Sequence, residues 1–329
     1  MISDDGESGL TYSEGQAYAL FFALVANDRP MFDKVLRWTE NNLCGGDLTA
    51  RLPAWLWGKR PDGTWGVIDS NAASDADLWI AYALGEAGRL WKARSYRALF
   101  TLVAARILAE ETVEIPGLGL TLLPAPKGFV LSETQWRLNP SYLPMHQLHW
   151  LAANGADPRW KQLASSSMKV IRGASPKGFA PDWIVYDAQQ GFLVDVQGKE
   201  KGQGGYNAIR VYLWAGVMHA QAPGRKALLE TLAPMARYVR EQGYPPESID
   251  ILSAQGSGPA PSGFSAALMP FLRAQGDTKA VESQRARLEA RPLRPKAYYE
   301  QVLALFGLGA FEGVYRFSAT GQLGVRWTS

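Results

Sequence analysis

Apolar residues recur at helical spacing in eleven segments of this chain, and the connections between those segments alternate in length. Long connections, rich in aromatic residues, Gly and Pro, precede the odd-numbered helices, and short turns follow them. A short turn folds each odd helix back on its successor as an antiparallel pair. All the long connections, and the N-termini of the odd helices, then fall on one side of the molecule. No fixed-period repeat accompanies the alternation, so an all-α (α/α) toroid, an inner ring of helices inside an outer one, fits better than a solenoid.

The pattern predicts helices from Ser13 to the Asn27-Asp28-Arg29 turn, and over 30–43, 74–91, 93–111, 142–153, 158–172, 205–220, 224–242, 261–275, 277–290 and 296–309. Six pairs need twelve helices, and the stretch before Ser13 is too short for another, so the expected barrel lacks its first helix. Trp183-Ile184-Val185-Tyr186 and Gly191-Phe192-Leu193-Val194 read as a small β-hairpin within 183–195. No linker rich in Gly, Ser or charge interrupts the chain, and residues 1–329 are expected to form a single domain.

A formal net charge of +3, with acids and bases interspersed, offers no basic stripe for nucleic acid. No apolar run is long enough to insert in a membrane. Met1-Ile2-Ser3-Asp4-Asp5-Gly6-Glu7 is acidic and polar and does not read as a signal peptide, which leaves a cytoplasmic protein or a mature chain whose leader has been replaced. The lone Cys44 excludes an internal disulfide and is expected to be a buried, inert thiol. His146, His149 and His219 lack an HExxH pattern and an accompanying acidic cluster, so neither a metal nor another cofactor is expected.

Three odd helices open with polar residues that an apolar core would not accept: Ser13-Glu14-Gly15-Gln16, Ser74-Asp75-Ala76-Asp77 and Gly205-Tyr206-Asn207-Ala208-Ile209-Arg210. Ser13 with Gln16 reads as a capping box and Ser74 as an N-cap, which sets Glu14, Asp75 and Asp77 in first turns. There the helix dipole favours the carboxylate, whereas a proton donor needs an enclosed, apolar setting that raises its pKa. In a closed ring these ends converge on one rim. Paired carboxylates across an aromatic groove are what glycosidic cleavage requires, one to protonate the leaving oxygen and one to activate water.

The run from Ala73 to Trp91 matches, position by position, the signature of glycoside hydrolase family 8. The Ser13-to-Gln16 and Tyr206-to-Trp214 segments are similar to two further blocks of that family. Leu52-Pro53-Ala54-Trp55-Leu56-Trp57-Gly58-Lys59, Asn139-Pro140-Ser141-Tyr142-Leu143-Pro144 and Pro176-Lys177-Gly178-Phe179 resemble its branch of endoglucanases encoded with bacterial cellulose synthases. The resemblance spans roughly residues 11–329. It implies an (α/α)6 barrel that cuts β-1,4-glucan (cellulose and cello-oligosaccharides) internally with inversion, in the periplasm or outside the cell, with the cellulose synthase complex as a partner.

By position, the resemblance makes Glu14 the general acid and Asp75 the signature aspartate, better suited to holding and distorting the sugar beside the scissile bond. The family's commonest base is the Asp of a Tyr-Asp-Ala-x-Arg segment, and here that place is Asn207. An amide has no useful basicity near neutrality. Either an Asp-to-Asn change has disabled the chain, or the base has moved to Asp182, Asp187 or Asp195. Arg210, one turn beyond Asn207, is expected to face the same cleft and to pair with residue 207 or 75.

Asp77, Trp55, Trp57, Trp65, Trp136, Tyr142, Trp183 and Tyr186 are the expected sugar contacts, with Tyr186 and Tyr206 also placed to bond the catalytic groups or water. The same family resemblance admits xylan, mixed-linkage glucan or chitosan, and Asn207 admits a non-catalytic glucan-binding protein. A polysaccharide lyase on this fold would more naturally bring a Tyr/His pair near basic residues, and no His lies in the three helix-start motifs.

Overall fold

The computed structural model describes residues 9–198 and 200–328. The expectation about Met1 to Glu7 lies outside the described residues. Eleven α-helices are formed among the described residues: α1 (Ser13–Val25), α2 (Arg29–Leu43), α3 (Ser74–Leu90), α4 (Arg94–Glu110), α5 (Met145–Asn154), α6 (Arg159–Gly173), α7 (Ile209–Val217), α8 (Arg225–Gln242), α9 (Ser262–Ala274), α10 (Thr278–Ala290) and α11 (Tyr298–Phe311). Two expectations are corrected. Helix α7 starts four residues later than predicted, because residues 205–208 are fastened as a turn. Ser13 and Ser74 are not caps: the N-cap positions belong to Tyr12 and Ala73, neither with a side-chain cap bond.

The odd helices form the inner ring. Helix α3 is buried at every residue from Ser74 to Gly88, whereas α10 buries only Ala280 and Gln284. Each odd helix packs on the next, α1 on α3, α3 on α5, α5 on α7, α7 on α9 and α9 on α11. Glycine sets the closest approaches: a Cβ on Gly216 of α7 would meet the Phe271 backbone nitrogen of α9 at 2.3 Å, and one on Gly307 of α11 would meet the Ala266 carbonyl oxygen at 2.0 Å.

The last joint, between α11 and α1, is made by aromatic rings. Phe306 lies 5.1 Å from Tyr18, 5.5 Å from Phe21 and 4.6 Å from Phe22, centroid to centroid. No outer helix covers this joint among the described residues. An open apolar groove of about 320 Å³ remains there, lined by Phe22, Val25, Leu305, Leu308 and Val314.

Small antiparallel sheets form in the long connections. Thr11–Tyr12 pairs with Leu56–Lys59, which pairs with Trp65–Asp69, while Gln203–Gly204 and Gly256–Pro259 flank Pro246–Asp250. The predicted hairpin is present as Ile184–Asp187 and Gly191–Val194, joined by a third strand, Gln135–Leu138. At the opposite end, the hairpin of Tyr315–Phe317 and Leu323–Val325 plugs the ring. His146 is stacked there on Phe317 at 4.1 Å, and burial lowers its pKa to about 3, so it is a neutral core residue. Cys44 is fully buried, and among the described residues no group of three His, Cys, Asp or Glu is placed to hold a metal ion.

Candidate active site

The three polar helix starts meet at one guanidinium. Arg210 Nη1 lies 3.4 Å from Asp75 Oδ2 and 3.3 Å from the Tyr18 hydroxyl, and Nη2 donates to Ser141 Oγ at 2.9 Å and to Asn207 Oδ1 at 2.7 Å. Its planar fork thus ties α1, α3, the 3-10 turn Pro140–Tyr142 and the segment before α7 together. Glu14 sits on the same hub. Trp55 Nε1 donates to Glu14 Oε1 at 3.2 Å, and the Ser13 hydroxyl to Oε2 at 3.4 Å.

The two carboxyl groups share a raised proton affinity. Burial pushes Glu14 above the usual carboxylate range, against the opposing pull of Arg210, Trp55 and Ser13. Burial and then the charge of Glu14 push Asp75 up to about 7, although Arg210 pulls the other way. Glu14 remains half-buried, whereas Asp75 is only 3 % exposed. Both shifts favour the protonated form, and of the two groups Glu14 is the more accessible.

The three alternative bases are all engaged. Asp182 Oδ1 accepts from the backbone nitrogens of Gly205, Asn207 and Ala208 at 3.0, 2.8 and 2.6 Å, which is what holds residues 205–208 as a turn. Asp187 accepts from Gln135, Gln189 and Gln190. Asp195 is paired with Arg137 at 2.7 Å. Each is a loop anchor.

Around the hub runs an aromatic wall. On one side Arg210 lies 5.6 Å from the Tyr142 ring, Tyr142 is 6.1 Å from Trp183, and Trp183 is stacked on Phe129 at 5.7 Å. On the other side a cleft of about 1030 Å³ is bounded by Tyr12, Tyr206, Asn207, Arg210, Phe264 and Tyr299. Trp57 and Trp65 stack at 5.2 Å on the hairpin beside α1, and Trp65 is 54 % exposed.

Four expectations do not fit their placement. Asp77 has no exposed surface and faces Glu111, so it cannot touch a sugar. Trp136 is buried in the core. Tyr186 is buried and donates its hydroxyl to the Pro116 carbonyl at 3.2 Å, away from the carboxylates. Tyr206 turns its hydroxyl to Glu247 at 2.9 Å, although its ring lines the cleft. Sequence reasoning missed Tyr18, Ser141 and Tyr299. Tyr18 stands four residues after Glu14 and thus on its helix face, a spacing that identifies it.

An (α/α)6 ring with an open cleft and paired carboxyl groups at the N-terminal rim of its inner helices defines a glycoside-cleaving enzyme. The family model "Glycosyl hydrolases family 8" matches residues 1–313, and the chain belongs to that family. An endoglucanase of Salmonella typhi is 44% identical over 327 residues, 99% of this chain and 86% of the relative. One of Xanthomonas axonopodis pv. citri is 47% identical over 320 residues, covering 96% and 82%. The crystal structure of an endo-1,4-D-glucanase from Vibrio fischeri superposes with a TM-score of 0.95 at 42% identity, covering 100% of this chain and 95% of that one.

Proposed function

We propose that this chain is the scaffold of an inverting endo-β-1,4-glucanase, a single hydrolase domain in which Asn207 stands where the catalytic base belongs. The observation that carries the reading is the convergence of Glu14, Asp75 and Asn207 about Arg210. Glu14, whose enclosed setting favours its protonated form, donates its proton to the leaving glycosidic oxygen as the bond to the anomeric carbon breaks. Inversion then needs a water on the opposite face of the sugar, deprotonated as it attacks. Asn207 orients such a water through its amide and takes no proton from it. Asp75, buried against Arg210, fixes the sugar hydroxyls beside the cleaved bond.

The open cleft with aromatic walls on both sides of the hub suits a polymer bound along its length, which favours internal cutting. The engagement of Asp182, Asp187 and Asp195 argues against a relocated base and for a hydrolytically impaired chain. The motif likeness to glucanases encoded with cellulose synthases extends the reading to the periplasm and to work beside that synthase, which co-purification with the synthase complex checks.

The test is reducing-end release from carboxymethylcellulose and cellohexaose. Asn207→Asp is expected to raise the rate about 10²–10⁴-fold, the usual worth of a positioned general base. Glu14→Gln added to it is expected to remove the gain. Full activity in the unaltered chain, unchanged by Asn207→Asp, overturns the assignment; glucan binding without turnover in either form identifies a binding protein.

A further inference from the structure

Helix α7 begins at the catalytic rim, and its C-terminal end, about 13 Å away at 1.5 Å per residue, opens on a second basin. This basin, of about 420 Å³, lies among the C-terminal ends of α7, α9 and α11, at the end of the ring opposite the cleft. Its walls carry three guanidinium groups, Arg225, Arg273 and Arg316, together with His219, and a single carboxylate, Glu312.

Arginines near helix C-termini ordinarily serve the last free carbonyls. That accounts for Arg273, whose Nη1 donates to the Phe311 carbonyl at 2.7 Å. It does not account for the other two. Arg225 Nε is enclosed and has no acceptor, and neither Arg225 nor Arg316 makes an ion pair among the described residues. His219 Nδ1 accepts from the Gln221 backbone nitrogen, which leaves Nε2 as the N–H donor of the neutral ring. Three guanidinium groups are thus gathered against one carboxylate. Burial and then the neighbouring Arg316 disfavour the charge on Arg273, and burial disfavours it on Arg225.

We propose that this basin binds a phosphate-bearing ligand, with Arg225 and Arg316 as its principal partners and Arg273 and His219 as supporting donors. Three guanidiniums against one carboxylate leave an excess of two positive charges, which a phosphate dianion neutralises and a single carboxylate does not. Guanidinium forks also match phosphate oxygens two at a time. The apolar part of the basin, chiefly Phe311 and Met218, accommodates the organic part of a phosphate ester or the neck of a lipid headgroup.

The probes are inorganic phosphate, titrated calorimetrically into the full chain at low ionic strength, and phosphatidylcholine vesicles with and without phosphatidic acid, followed by flotation. Saturable phosphate binding is expected, weakened roughly tenfold by either Arg225→Gln or Arg316→Gln, the loss that one charged hydrogen bond produces. Arg316 is exposed on its strand, so its replacement leaves the fold intact, and Arg225→Lys, which keeps the charge, is expected to retain part of the affinity. Phosphatidic-acid-dependent flotation lost with the same substitutions assigns the phosphate to a headgroup; binding of free phosphate alone assigns it to a solute. Absence of both, or affinity in both Gln variants equal to that of the unaltered chain, overturns the proposal. Carboxymethylcellulose affinity, which belongs to the other end of the ring, is expected to be unchanged.

Discussion

Trp55 holds Glu14 between two tendencies. Burial favours the neutral acid, and the indole N–H on Oε1 favours the carboxylate. Trp55→Phe keeps an aromatic face and deletes the donor, so Glu14 retains its proton to higher pH. A general acid works only while protonated. In the Asn207→Asp background, the alkaline limb of the kcat/KM profile should therefore move to higher pH in Trp55→Phe. The acid limb, set by the restored carboxylate, should stay in place. An unmoved alkaline limb assigns it to another group. At this scale Glu14, Asp75 and Arg210 were readable in the sequence because polar residues at the start of apolar helices have no place in a core. Ser141 was not, since nothing in its own segment reveals that a guanidinium from residue 210 arrives there.

Between elements, the pairing of Asp77 on α3 with Glu111 at the end of α4 has a distinct consequence. Both side chains are fully buried, and Glu111 lacks any other partner among the described residues. Burial first, then the partner's charge, raises Glu111 well above the usual carboxyl range; burial raises Asp77 likewise. A carboxyl raised on folding stabilises fully below its unfolded pKa, near 4, and loses that contribution as pH climbs toward the folded value. Glu111→Gln supplies a neutral donor to Asp77 at every pH. Thermal melts from pH 4 to 8 should then be flatter in the variant, with a higher Tm at the alkaline end; parallel curves would assign the pH dependence elsewhere.

Elements also mark where local reading fails. Helix spans came through because a 3.6-residue apolar period reports on packing. The caps did not, because the long connections do that work: Ser13 N donates to the Trp55 carbonyl at 2.9 Å and Ser74 N to the Pro124 carbonyl at 3.0 Å. A serine hydroxyl is not needed where a distant backbone supplies the acceptor, and no local sequence rule sees that acceptor.

Over the whole molecule, the alternation of long and short connections pointed to both the ring and the side on which its cleft opens. The gap expected before α1 is an outer one: among the described residues all six inner helices are present, and the outer layer is open over the joint of α1 and α11. That joint is held by Phe306 and its neighbours, and Leu305 on the outer face of α11 remains 53 % exposed. A ring so built is not equally strong around its circumference. Local opening starts where least apolar surface is covered, so amide hydrogen exchange should release α11 well before α3, although both belong to the inner layer. Equal protection of the two would show the joint to be as firm as the rest. If α11 does yield first, the chain comes apart in a fixed order, beginning at the helix that completes the circle.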